Sequence, residues 1–183
     1  TRVSFDRAGI AWSLYLLSDL ERIDLSKIRL AIMLNTFRFT GEERQRVRQR
    51  LCRDGRTMLW VYAPGFVDEE AGLSTDAMRE LTGFSFIRLG KEGSPGLRID
   101  RVGHPLLAGY QVGDELPWLT LRNYKSVCGP LFGVAGQDEP LATGRDSGLC
   151  GLAVADMKTW RSIYCAAPYL PPRLIRNAAR LAG

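Results

Sequence analysis

TMLWVYAPG, residues 57–65, contains an unbroken apolar run from Met58 to Ala63 that stops at a Pro-Gly pair. A short apolar run without alternation is typical of a strand buried on both faces, as in the middle of a parallel sheet. Ligands of open α/β sheets bind in the crevice beyond the carboxyl ends of the strands. We therefore expect any ligand-binding residues at the turn formed by Ala63, Pro64, Gly65 and Phe66.

The residues before this run predict a strand–helix–strand unit. The apolar segment 28–34 is typical of a second buried strand. Thr40 and Glu43 have the spacing of a capping box, in which each side chain accepts a hydrogen bond from the other residue's backbone N–H. The helix that follows extends to residue 52, and its Val47 and Leu51 form a narrow apolar stripe. We expect the crossover between the two strands to be right-handed.

The rest of the chain predicts mainly short strands. A helix should end within residues 5–12, and further helices are predicted over 74–83 and 171–182. Strands are predicted over 14–17, 84–89, 97–99, 132–135, 140–142, 148–155 and 160–165. We expect 84–89 to form a hairpin with 97–99, and 132–135 to pair with 140–142. These patterns predict one α/β domain over residues 1–183, with a mostly parallel sheet and a β-rich second half.

Composition excludes several classes of protein. The 183 residues carry a formal charge of +5, which is only mildly basic, and no apolar run approaches the 18 residues of a membrane span. Four dispersed cysteines and a single histidine do not match a zinc site, and no motif predicts a metal or a cofactor. Cys150 and Cys165 lie in apolar surroundings and are expected to be buried thiols, which favours a reducing compartment such as the cytoplasm.

The order of several short motifs resembles the class I glutamine-amidotransferase-like domain of bacterial glycoside hydrolases, and is similar to the trimerisation domain of family 42 β-galactosidases. The motifs lie at residues 15–20, Asn35, 60–65, 81–83, 104–106 and 168–171. The resemblance implies a flavodoxin-like three-layer sandwich. It also implies that the chain is a piece of a longer modular glycoside hydrolase, in which this domain serves oligomerisation and walls the active site of a neighbouring subunit.

The catalytic cysteine of true class I amidotransferases lies on a sharp strand-to-helix turn, in a Gly-x-Cys-x-Gly pattern. The matching residues here are Val61-Tyr62-Ala63-Pro64-Gly65, so Ala63 stands where the nucleophile would be. Pro64 lacks a backbone N–H that could serve an oxyanion hole. His104 lies mid-chain and has no His-x-Glu pattern. We therefore predict no catalytic residue in this domain.

Other candidate sites have ordinary structural interpretations. The arginines between residues 44 and 56 are spread around a helix without interleaved aromatic residues, which favours a solvated helix or a subunit contact over nucleic-acid binding. Asp68, Glu69 and Glu70 are typical of a solvated loop. Trp60 and Tyr62 should share a core-facing side of the central strand, whereas Phe66 should lie at the mouth of the crevice. Trp118 and Trp160 could each pack in the core or contact a sugar or a neighbouring subunit.

Two hypotheses follow. The first is a non-catalytic assembly domain of a carbohydrate-active enzyme, which predicts a homo-oligomer. The second is a module that binds a carbohydrate or another small molecule in the crevice at Ala63, Pro64, Gly65 and Phe66. Neither hypothesis involves nucleic acid or a membrane.

Overall fold

The computed structural model describes residues 2–116 and 127–183. These residues form four α-helices, α1 (Arg2–Ala8), α2 (Gly41–Leu51), α3 (Thr75–Thr82) and α4 (Pro172–Ala182). The strands of the first half are β1 (Leu30–Met33), β2 (Arg38–Phe39), β3 (Thr57–Val61), β4 (Val67–Asp68), β5 (Gly72–Leu73) and β6 (Phe86–Leu89). Those of the second half are β7 (Leu97–Ile99), β8 (Glu115–Leu116), β9 (Leu131–Val134), β10 (Ala142–Gly144), β11 (Cys150–Asp156) and β12 (Arg161–Cys165). The fold is therefore mixed α/β.

Strand β3 lies at the centre of the parallel part of the main sheet. It pairs with β1 on one side and with β12 on the other, both in parallel. All five of its residues are buried, as the unbroken apolar run predicts. The strand–helix–strand unit β1–α2–β3 is confirmed, because α2 connects two adjacent parallel strands.

The remaining pairings of the main sheet are antiparallel. Strand β11 pairs with β12, β10 and β9, and the sheet continues from β10 through β7 to β8, while β6 pairs with β9. Within the main sheet, parallel pairing is thus confined to β1, β3 and β12, and the expected β-rich second half forms most of the antiparallel part. A separate small sheet consists of β2, β4 and β5.

Helices pack on the parallel strands through buried side chains. Ser162 of β12 accepts a hydrogen bond from Trp60 Nε1 at 3.1 Å and donates one to the Thr82 carbonyl oxygen of α3 at 2.6 Å. Leu174 and Ile175 of α4 are fully buried, and this helix contacts β1 and β3. These contacts order the sheet around β3 and fix the position of the turn that follows it.

Three sequence predictions about strands are wrong. Residues 14–16 form no strand, and residues 17–19 form a 3-10 helix. Strand β7 pairs with β10 and β8 instead of β6, and β9 pairs with β6 and β11 instead of β10. These two predicted pairs do not form because long-range packing determines the strand order, which short apolar patterns do not encode. Trp118 lies outside the described residues.

Candidate functional site

The turn after β3 lies at the edge of the sheet where the parallel strands end. Asn35, just beyond β1, and Tyr62, just beyond β3, both have positive φ, at 53° and 62°. Positive φ is unfavourable for residues with a side chain, and such residues cluster at functional sites. The strained residue of the turn is Tyr62. It lies one position before Ala63, the residue that the sequence aligns with the amidotransferase cysteine.

The side chain of Tyr62 is held in place by its surroundings. Its hydroxyl donates a hydrogen bond to the Pro130 carbonyl oxygen at 2.8 Å, and its own carbonyl oxygen accepts one from the Tyr164 hydroxyl at 2.7 Å. The ring packs edge-on against Phe37 and Phe132, at centroid distances of 5.8 and 5.5 Å. Burial raises the pKa of the Tyr62 hydroxyl, so it stays neutral at physiological pH.

The four expected ligand-binding residues, Ala63, Pro64, Gly65 and Phe66, are all buried. The prediction that Phe66 lies at the mouth of a crevice is therefore wrong, because its side chain is buried. The Gly65 N–H donates to the Thr36 carbonyl oxygen at 2.8 Å, which ties the turn to the segment that follows β1. The Phe66 ring packs edge-on against Phe132 at a centroid distance of 4.8 Å. Arg88 lies over that ring, with its guanidinium carbon 5.2 Å from the centroid.

The described cysteines do not supply a replacement nucleophile. All four are free thiols, and burial raises the pKa of each. The pKa reaches about 12 for Cys52 and for Cys165, and about 11 for Cys150. The prediction that Cys150 and Cys165 are buried is confirmed. Since the thiolate is the reactive form, these side chains are not activated for attack at neutral pH.

The single histidine lies away from the turn after β3. His104 caps a short 3-10 helix, with its Nδ1 accepting a hydrogen bond from the Leu106 N–H at 3.1 Å. Burial and the neighbouring charge of Arg161 lower its pKa. Arg161 begins β12, whereas Cys165, at the other end of that strand, lies beside Val61. His104 is therefore near the end of the sheet opposite to the turn at Ala63.

The arginines of the α2 region are divided between solvent and internal contacts. Arg48 is exposed, as expected for a solvated helix, whereas Arg44 and Arg56 form internal contacts. Arg56 is buried, and its guanidinium donates to the carbonyl oxygens of Ile28, Leu25 and Arg50 at 3.1 to 3.2 Å. Arg44 pairs with Asp68 and with Glu80. A guanidinium has five donors, and here they stabilise the loops that flank α2.

The acidic loop after β3 is only partly solvated. Asp68 is buried beside Arg44 and accepts hydrogen bonds from the backbone N–H groups of Ala71 and Glu70. These bonds, that of Ala71 first, lower the pKa of the Asp68 carboxyl group. Glu69 pairs with the exposed Arg38. This loop is therefore held by structural ion pairs, and its carboxylates do not converge on an open site.

A groove of about 790 Å³ lies between α2, α3 and the turn that joins β11 to β12. One stripe of α2 lines it, with residues at positions i, i+3, i+4, i+7, i+8 and i+11, namely Gly41, Arg44, Gln45, Arg48, Gln49 and Cys52. Glu80, Gly83, Met157, Thr159 and Trp160 line the other walls. None of the four residues predicted to bind a ligand lines this groove. The polar stripe is visible in the sequence, but its pattern does not distinguish a groove wall from a solvated surface.

Within residues 2–116 and 127–183, no three His, Cys, Asp or Glu side chains are grouped so that they could hold a metal ion. In that same part of the chain, no helix has the length and apolar character needed to cross a bilayer.

Comparison with known proteins does not assign this chain to a family. No protein-family model matches the chain, and a search of curated proteins finds no match to it.

Proposed function

We propose that this chain is a non-catalytic, glutamine-amidotransferase-like domain of a carbohydrate-active enzyme similar to the β-galactosidases. In this proposal the domain serves oligomerisation and forms part of the active-site wall of a neighbouring subunit. The proposal includes a flavodoxin-like three-layer arrangement around β1, β3 and β12. The order of sequence motifs supports it, as do the parallel pairing of these strands and the strained turn after β3.

The chemistry of that turn supports a role without catalysis. A nucleophile at a strand-to-helix turn must be exposed and activated by a base. Ala63 has no reactive group and is buried, and the neighbouring Tyr62 hydroxyl is neutral and bonded to the Pro130 carbonyl oxygen. The turn therefore has the backbone strain of an active-site turn without a group that could attack a substrate.

One observation carries the assembly role, namely three consecutive exposed apolar side chains. Leu14, Tyr15 and Leu16 are 75%, 50% and 69% exposed. The segment is anchored at its last residue, because the Leu16 N–H donates to the Asp19 carboxylate at 3.1 Å and the Asp19 N–H donates to the Leu16 carbonyl oxygen at 3.0 Å. A preformed exposed apolar segment is typical of a protein–protein contact. The partner that we propose for it is a second copy of this chain.

Light scattering across a concentration series tests this role. We expect the chain, with a mass of 20.4 kDa, to reach a mass at least twofold higher. The double variant Leu14→Glu/Leu16→Glu should be monomeric, because a charge buried in an apolar contact is strongly unfavourable. Val112→Glu is the matched control, since Val112 is 63% exposed in another part of the chain, and it should leave the mass unchanged. A wild-type chain that stays monomeric at every concentration would contradict the assembly role.

A further inference from the structure

We propose that the groove between α2, α3 and the β11–β12 turn binds a neutral ligand with several hydroxyl groups, of about the size of a disaccharide. This inference goes beyond the assembly role, because the groove and the segment Leu14–Tyr15–Leu16 share no residue.

The size of the groove fits such a ligand. Its volume of about 790 Å³ falls within the range of roughly 300–1,000 Å³ that is usual for small-molecule sites. Two of its walls are helices with fixed ends. Thr40 and Glu43 cap α2, and Gly83 ends α3 in the left-handed conformation with φ of 79°. Met157 closes over Gly83, where a Cβ would collide with its methyl group. The cavity is therefore preformed.

The charges around the groove are matched. Arg44 is bound by Asp68 and Glu80, and Arg48 lies 3.5 Å from Glu80. Glu80 lines the groove with both arginines, and Asp68 pairs with Arg44 from outside the lining. Each of the two guanidinium groups therefore already has a carboxylate partner, which disfavours a phosphate or another anion as the ligand. A neutral ligand fits this balance better than a nucleotide, which requires unpaired cations or backbone N–H groups.

The uncharged polar groups of the groove favour hydroxyl groups. Gln45 and Gln49 are exposed and lie four residues apart, so their amides project from the same face of α2. Each amide both donates and accepts hydrogen bonds, as does each hydroxyl group of a sugar. The indole of Trp160 supplies an apolar surface for the C–H groups of the ligand, and it packs edge-on against the buried Trp60 at a centroid distance of 6.4 Å.

Isothermal titration calorimetry with lactose, cellobiose and maltose tests the proposal. We expect saturable binding of at least one of these disaccharides, and no tighter binding of ATP as a charged comparison. In the double variant Gln45→Ala/Gln49→Ala, the loss of two hydrogen bonds should raise the dissociation constant about tenfold or more. Alanine is the best helix former, so α2 should stay folded, which circular dichroism would verify.

The control variant is Gln137→Ala, which removes an exposed glutamine from a loop outside the groove and should leave binding unchanged. Three results would overturn the proposal: no saturable heat with any of the disaccharides, tighter binding of ATP, or equal binding by the wild type and the Gln45/Gln49 variant. The monomeric Leu14/Leu16 variant should still bind the sugar, so a failed assembly role and a failed groove give different results.

Discussion

Gly65 determines how the turn after β3 packs on the core. Its φ is +70°, a conformation that residues with a Cβ rarely adopt. A Cβ built at this position would lie 2.5 Å from Leu81 Cδ1 of α3, and Leu81 is fully buried. Glycine is therefore required both by the backbone conformation and by the close approach of α3.

We expect Gly65→Ala to lower the free energy of unfolding by about 2–5 kcal/mol, from about 1–2 kcal/mol of left-handed strain and about 1–3 kcal/mol of overpacking. Gly72→Ala is the matched control, because Gly72 has a φ of +69° but no heavy atom within 4 Å of its Cβ position. This variant should lose only the strain contribution. Urea denaturation measures both variants, and equal losses would show that Leu81 moves aside without cost.

The residues of the candidate site were only partly predictable. The Pro-Gly break and the missing nucleophile at Ala63 follow directly from residue identity. The burial of Phe66 does not, because it depends on Phe132 and Arg88, which come from strands distant in sequence. The burial of Arg56 could not be predicted for the same reason, since two of its acceptors are carbonyl oxygens of the loop before β1, at Leu25 and Ile28.

Helix α2 begins at a capping box, which the sequence predicted. The Glu43 N–H donates to Thr40 Oγ1 at 3.1 Å, and Glu43 Oε2 accepts from the Thr40 N–H at 2.8 Å. Both bonds satisfy backbone donors that the helix leaves unpaired. The same helix forms one wall of the groove, so its first turn sets the position of Arg44 and Gln45.

We expect Thr40→Ala to destabilise the protein by about 1 kcal/mol, because the Glu43 N–H loses its acceptor. Thr40→Ser keeps the hydroxyl oxygen and should cost only a few tenths of a kcal/mol. Thermal or urea denaturation of the two variants gives the comparison. If serine and alanine were equally destabilising, the methyl group of Thr40 would be responsible and the cap would contribute nothing.

The positions of the helices and strands were predicted better than the pairing of the strands. The helices α2, α3 and α4 and the strands β3, β11 and β12 lie close to their predicted positions, because periodicity, caps and apolar runs are local signals. The pairing of β6 with β9, and of β7 with β10, joins segments separated by about 40 residues in each case. The apolar run at Leu14–Leu16 was wrongly predicted as a strand, because a local pattern cannot show that these side chains are exposed.

The whole molecule is organised around the contact between a parallel and an antiparallel region. Strand β12 pairs in parallel with β3 on one side and antiparallel with β11 on the other, so it joins the two regions. Strand β3 is covered by neighbours on both edges, whereas the small sheet of β2, β4 and β5 consists of two-residue strands with exposed positions. Local stability should therefore be highest at β3 and lowest in the small sheet.

Native-state hydrogen exchange tests this difference. The amide N–H groups of β3 and its ends are bonded within the buried sheet, with Thr57 donating to Arg29 and Tyr62 to Cys165, each at 2.8 Å. We expect these amides to exchange at least about a hundredfold more slowly than those of Gly72 and Leu73, because they open only in global unfolding, whereas β5 is exposed and opens locally. Strand β12 should match β3 within the same experiment, which provides an internal control. Equal exchange rates in β3 and β5 would mean that the two sheets open together and that β3 is not more stable than the small sheet.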